Sequence, residues 1–299
     1  MHDESTHPAP VVDDTLTTTT TGIQMHYRDW GGKGRPILLL HGLASSSRIW
    51  DLIAPRLTPY GRVVALDQRG HGATAKPDDG YDFTTIVADA QGAVAALGLR
   101  APVVIGHSWG AGVALTYAAQ DPVCPGVVLV DGGLVDLRAR PAATWEETSR
   151  RLAPPDLSHF HLDDLVRHMG QGPLGTLDES FRRSFFRSLM EEQPDGTVRP
   201  RLTRDRHMAI LHAMWKQRLA SVLDQVACPI LAIMAEAEKP GDKADPFQAA
   251  KQRTLAQAAQ HPNVHIVTLP DTIHDIPLHR PVELARLIGD WLAALPEPA

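Results

Sequence analysis

The stretch of this chain best suited to chemistry is Val103–Leu115. There an apolar, β-branched run ends at Gly106, Ser108 follows two residues later, and Gly110 lies beyond it. A run of small residues with helical character comes next. Gly-x-Ser-x-Gly set between a strand and a helix makes a sharp turn that stands the serine hydroxyl clear of the sheet. Gly106 and Gly110 leave room, because side chains there would strike the neighbouring turn. The helix N-terminus beneath Ser108 favours negative charge developing beside it. Ser108 is therefore a candidate nucleophile. The alternative is a serine that only caps the helix.

The elements that must position this serine alternate along the chain. Thr17–Thr21, with Gly22 and the run Ile23–Arg28, reads as an opening β-hairpin after a mobile tail over residues 1–14. Pro36–Leu40 is continuously apolar, as in a strand covered on both faces. Ser46 or Ser47 is placed to cap an amphipathic helix over Arg48–Leu57. Arg62–Leu66 reads as a strand, Thr84–Leu97 as a helix, and Gly126–Val130 as a buried strand ending in Asp131. From Asp136 to Asp224 no buried-strand run occurs, only charged, proline-punctuated helical segments. Strand and helix resume at Pro229–Met234, Pro246–Gln260, Val264–Leu269 and Pro281–Leu295. This order predicts an α/β fold: a mostly parallel, doubly wound sheet with a helical cap inserted after the sixth strand. The core would comprise residues 15–135 and 225–299, and the cap residues 136–224.

Whole-chain properties narrow the function. A length of 299 residues is enough for a full core, and 43% hydrophobic with 21% charged residues is ordinary for a globular protein. The formal net charge of −6 comes without a basic cluster, which argues against a nucleic-acid or anionic-membrane surface. No apolar run approaches the ~20 residues of a membrane span. Met1–Thr15 lacks the basic-then-apolar order of a signal peptide, so a cytoplasmic protein is expected. Cys124 and Cys228 read as reduced, partly buried thiols.

Five features in order carry a resemblance. They are His41-Gly42 after an apolar strand, Asp67-x-Arg69-Gly70-x-Gly72 after the next, Gly106-x-Ser108-x-Gly110, the inserted cap, and a histidine after the last strand. Together they resemble the α/β-hydrolase superfamily, in its single-cap esterase, lactonase and dehalogenase-like branch, over about residues 15–295. The resemblance implies a general base at His274, seven residues before Pro281, with His279 bracing the loop. Imidazole has the pKa to take and return a proton near neutrality. It also implies an oxyanion hole from the backbone N–H groups of Leu43 and Trp109, with His41 shaping that loop.

The third triad member divides the sequence. Most of the superfamily carries its acid after the strand that follows the cap, where the register falls on Glu238, in a long charged loop with Ala235 in place of the usual glycine. A minority carries it one strand earlier, where Asp131 ends its strand 131 − 108 = 23 residues past the nucleophile. There an ionised aspartate would hold the imidazole tautomer, whereas the alternative is a loop-capping aspartate. Asp131 is preferred, with Glu238 as the alternative.

Other residues read as structural or as pocket. Asp67, Arg69 and His71 belong to a structural turn, and His107 packs under the elbow. His159, His161, His168, His207 and His212 populate the cap without a second cluster at ligand spacing, so no metal is expected. Met214 and Trp215 are the candidate wall of a substrate pocket. The expected activity is cofactor-free hydrolysis of a small-molecule carboxylic ester or lactone, by a monomer or homodimer without nucleic-acid or membrane partners. Carbon–carbon, peracid and amide chemistry use the same triad, and a slow-turnover, receptor-like binding protein is the rival class. Serine instead of aspartate at the elbow argues against epoxide hydrolase and haloalkane dehalogenase chemistry.

Overall fold

The computed structural model describes residues 10–139, 142–236 and 246–296. Eight strands form one sheet in the order β1-β2-β4-β3-β5-β6-β9-β10. They are β1 (Val12–Thr17), β2 (Gln24–Asp29), β3 (Pro36–Leu40), β4 (Arg62–Leu66), β5 (Val103–His107), β6 (Val127–Val130), β9 (Ile230–Glu236) and β10 (Val264–Pro270). β1–β2 and β2–β4 are antiparallel, and every other pairing is parallel. The central strands are buried on both faces, which is why they read as unbroken apolar runs rather than as alternation.

Helices cover both faces. α1 (Ala54–Leu57), α10 (Ile276–His279) and α11 (Pro281–Ala294) pack on one, against Ile37, Leu39, Ile105 and Ile233. α2 (Phe83–Ala96) and α3 (Trp109–Gln120) pack on the other, against Leu38, Leu40, Val104 and Leu129. α9 (Pro246–Ala258) joins β9 to β10. Between β6 and β9 stands the cap: α4 (Trp145–Leu152), α5 (Leu162–Gly170), α6 (Glu179–Leu189), α7 (Arg204–Lys216) and α8 (Leu219–Leu223). No helix among the described residues is long and apolar enough to cross a membrane.

Four expectations need correction. The tail is shorter than predicted, because residues 12–14 already belong to β1, where Asp13 bonds His26 Nε2 at 2.5 Å and Arg28 Nε at 3.1 Å. The threonine run is a turn rather than a strand, apart from Thr17 at the end of β1. Thr18 and Thr21 bond each other through their hydroxyls at 2.8 Å, and such local bonds compete with a strand ladder. The single helix expected over Arg48–Leu57 is split into a 3₁₀ turn at Ser47–Trp50, capped by Ser46, and the short α1. Pro55, lacking an N–H, sits in the first turn of α1 and cannot extend a helix arriving from upstream. The cap also contains a small hairpin, β7 (Met190–Glu192) with β8 (Val198–Pro200). Its Met190 and Val198 bury against Leu162, Leu165 and Val166, giving the cap a small apolar centre of its own.

Candidate active site

Ser108 sits between β5 and α3 with φ 54° and ψ −119°, a conformation that costs on the order of 1–3 kcal/mol for a residue with a side chain. The surroundings enforce it. Its N–H donates to Val130 O at 2.9 Å, and its carbonyl accepts from Ala111 N at 3.1 Å. A Cβ on Gly106 would lie 2.1 Å from Gly110 O, and one on Gly110 would lie 2.4 Å from the carbonyls of Leu40 and His41. Ser108 makes no capping bond to its helix. Its Oγ instead donates to His274 Nε2 at 2.9 Å, which removes the capping reading.

His274 follows β10, and its Nδ1 donates to Asp131 Oδ2 at 2.6 Å. These partners assign the neutral tautomer with the proton on Nδ1 and the lone pair on Nε2. Asp131 reaches the site because the sheet ladder runs on past β6: its N–H donates to Ile233 O at 2.8 Å, beside the Ser108 N–H on Val130 O. The backbone then turns at Asp131 with φ 40°, and a Cβ on Gly132 would come within 2.2 Å of Ser108 O. The other carboxylate oxygen, Oδ1, accepts from Ala235 N at 3.1 Å and from Lys251 Nζ at 2.7 Å. Glu238 lies outside the described residues.

The electrostatics follow from these contacts. Burial disfavours the ionised Asp131 carboxyl, but the His274 hydrogen bond and the Lys251 charge outweigh it and hold its pKa below the ordinary value. Burial likewise disfavours the His274 imidazolium, but the Asp131 bond and charge, aided by Asp275, raise its pKa against an opposing Lys251. His107 is buried, with its ring 5.0 Å from that of His274, and its Nε2–H donates to the His274 carbonyl at 3.0 Å. Burial and the neighbouring His274 push His107 down to about 4, so it is a neutral strut under the loop.

Of the two backbone groups expected to face an oxyanion, Trp109 directly follows the serine, and Leu43 follows Gly42, on which a Cβ would lie 3.0 Å from Ser108 Cβ. Trp109 N–H opens α3, where no intrahelical acceptor exists. Leu43 N–H belongs to the turn after β3, whose Ala44 and Ser45 N–H groups donate to His71 Nε2 at 3.2 Å and Gly42 O at 3.2 Å. That turn is braced from beneath. His41 Nδ1–H donates to Gly42 O at 2.8 Å while its Nε2 accepts from Gln68 N at 3.0 Å. His71, pushed down to about 3 chiefly by burial, donates from Nδ1 to Arg69 O. Asp67 accepts from Ser47 N and Ala73 N and bonds His26, and Arg69 pairs with buried Asp89 at 2.7 Å. These groups build the turn and do not enter the site.

A cavity of about 160 Å³ opens on Ser108 and His274. Phe83, Leu137, Met214, Leu219 and Met234 give it an apolar lining, with Gln217 and Lys251 as further polar groups. Met214 is placed as expected, but Trp215 is not part of the wall. Adjacent residues on a helix point about 100° apart, and Trp215 turns to Trp145 at 6.2 Å and to the Arg138 guanidinium at 4.8 Å. Three of the cap histidines are engaged locally: His161 bonds Gly196 O, His207 bonds Leu152 O, and the His212 ring lies tilted against Trp145 at 4.8 Å. His279 lies 3.5 Å from Ile273 N, under the His274 loop. Sequence reasoning missed Lys251 and Gln217. Nothing in the composition of their helices marks either one.

Comparison with known proteins agrees with this fold. A family model described as "Alpha/beta hydrolase family" matches residues 37–287. A non-heme haloperoxidase of Rhodococcus erythropolis is 44% identical over 106 residues, 35% of this chain and 38% of that protein. An N-formylmaleamate deformylase of Pseudomonas putida is 39% identical over 115 residues, 38% of this chain and 43% of that protein. The chain thus matches only about two-fifths of the length of such relatives. The crystal structure of E-2-(acetamidomethylene)succinate hydrolase superimposes with a TM-score of 0.76 at 22% identity, covering 95% of this chain and 100% of that one. With its strained elbow serine, its eight-stranded sheet and a family match over most of its length, the chain belongs to the alpha/beta hydrolase family.

Proposed function

We propose that the protein is a serine hydrolase that cleaves a small carboxylic ester or lactone through an acyl-enzyme on Ser108. One observation carries this reading: the unbroken chain Ser108 Oγ–His274 Nε2 at 2.9 Å and His274 Nδ1–Asp131 Oδ2 at 2.6 Å. In this mechanism Ser108 Oγ attacks the carbonyl carbon as its proton passes to His274 Nε2. Asp131 stabilises the resulting imidazolium, and the N–H groups of Leu43 and Trp109 receive the oxyanion. Collapse breaks the acyl–oxygen bond, and the leaving alkoxide takes the proton from His274. Water, activated by the same imidazole, then releases the acid and restores Ser108. The cavity of about 160 Å³ is near the size that holds a single benzene ring, which favours a short or compact acyl group.

A second reading, hydrolysis of an activated amide, draws support from the similarity to proteins named N-formylmaleamate deformylase and E-2-(acetamidomethylene)succinate hydrolase. The test is a rate comparison across p-nitrophenyl esters of increasing acyl length, simple lactones, and N-formyl and N-acetyl enamides. The ester reading expects the highest kcat/KM on short acyl esters or lactones, falling as the chain outgrows the cavity. Turnover confined to the amides would replace it with the second reading.

A further inference from the structure

The proposed chemistry leaves one charged group beside the site unused. Lys251 projects from α9 with a side chain only 13% exposed. Its Nζ donates to Asp131 Oδ1 at 2.7 Å and to Ala235 O at 2.9 Å. The same Ala235 donates its N–H to Asp131 Oδ1 at 3.1 Å. One carboxylate oxygen is therefore held by the Ala235 N–H and by an ammonium that the Ala235 carbonyl holds in turn. The opposite oxygen is left for His274 alone among the bonds described.

We propose that Lys251 is a positioning residue that makes Asp131 serviceable as the orienting acid: it clamps Oδ1 to the end of β9, aims Oδ2 at His274, and tempers the basicity of the imidazole. The proposal rests on Asp131 being the triad acid. The need for such a clamp is physical. Asp131 is 7% exposed and sits on a left-handed turn, so neither solvent nor regular backbone geometry fixes its carboxylate. A buried carboxylate whose outer oxygen lacked a cation would be held as an anion only by the His274 bond and the Ala235 N–H, with its direction less well fixed. The ammonium meets both requirements with two hydrogen bonds of fixed direction.

Among the described residues, the groups facing His274 are the carboxylates of Asp131 at 2.6 Å and of Asp275 on its own loop, the neutral His107 from β5 and the ammonium of Lys251 from α9, the one cation of the four. Removing it leaves the carboxylates uncompensated and stabilises the imidazolium, so the base must be deprotonated at a higher pH. The acidic limb of kcat/KM reports that titration in the free enzyme.

The experiment compares wild type, Lys251→Met, Lys251→Arg, Asp131→Asn and the Lys251→Met/Asp131→Asn pair on one neutral and one anionic p-nitrophenyl ester. Full pH profiles are recorded, and folding is followed by circular dichroism. Lys251→Met is expected to lower kcat by roughly 10–100-fold, the range found where a group that orients a functional side chain is removed. Its acidic limb should move up by about half a pH unit or more, as expected when one nearby charge is lost from a partly solvated site. Lys251→Arg keeps the charge, so it should restore the limb and most of the rate. In the Asp131→Asn background, Lys251→Met should cost little more, because both changes remove one function. An unmoved limb, or additive losses in the pair, would overturn the proposal and leave Lys251 as a packing residue. A rise in KM for anionic substrates alone, with kcat and limb unchanged, would overturn it in favour of a substrate anchor. A negligible effect of Asp131→Asn by itself would instead refute the choice of acid.

Discussion

Replacing Asp131 by asparagine is a sharp perturbation because the structure dictates how the amide must sit. Oδ1 of Asp131 receives two donors, Ala235 N–H and Lys251 Nζ, so the asparagine oxygen is compelled to take that place. The amide NH₂ then faces His274 Nδ1, which now receives a hydrogen bond where it previously gave one. The favoured tautomer carries its proton on Nε2, and that nitrogen can no longer accept the proton of Ser108. The expected loss is on the order of 10⁴ in kcat, equivalent to about 5 kcal/mol of transition-state stabilisation. Folding suffers much less. The amide oxygen still accepts from Lys251, and the uncompensated ammonium costs about 1–3 kcal/mol. Saturating kinetics on one ester, with thermal melts by circular dichroism, separates the two effects. A folded variant that loses less than 10-fold in kcat would refute this account of Asp131 and return attention to Glu238.

Three further outcomes follow from the geometry. Asp67 is buried, which alone would raise its pKa, but the His26 bond and charge, His41 and the Ser47 N–H hold it well below the usual carboxylate range. A depressed folded pKa gives stability that is present above the unfolded value of about 3.9 and is lost as pH falls through the folded one. The urea midpoint should therefore drop steeply as pH falls below about 4 in wild type and less steeply in Asp67→Asn. In the cap, Met214→Ala should change the ranking of esters by acyl length, because Met214 lines the cavity. Trp215→Ala should lower the melting temperature, costing about 3–5 kcal/mol as a buried aromatic, while leaving the ranking in place. An altered ranking in Trp215→Ala would show that the ring reaches the substrate.

The parts of the site that local physics dictates were legible in the sequence. The elbow announces itself because two glycines must flank a strained serine, and the structure shows the clashes that enforce them. His274 was legible through its distance from Pro281, which opens α11. The acid was not decided by local signals. Sequence spacing allowed two strand ends, and only the register of β5, β6 and β9 sets Asp131 beside His274. Lys251 was illegible for a related reason: it lies 120 residues from its partner, in a helix whose other polar residues look the same. The threonine run misled because β-branched residues favour strands, yet their hydroxyls found closer partners in a turn. Trp215 misled because composition places a residue on a helix and does not say which way it faces.

The central claim is that Ser108 is an activated nucleophile, and covalent labelling tests it most directly. Wild type, Ser108→Ala and His274→Ala are treated with a small fluorophosphonate and read by intact mass and peptide mapping. The account predicts rapid addition of one phosphonyl group to wild type, mapped to Ser108. His274→Ala should label far more slowly, and Ser108→Ala should take up none at that position and show no ester turnover. Wild-type protein that stays unlabelled, or a folded Ser108→Ala variant that keeps near-wild-type activity, would contradict it.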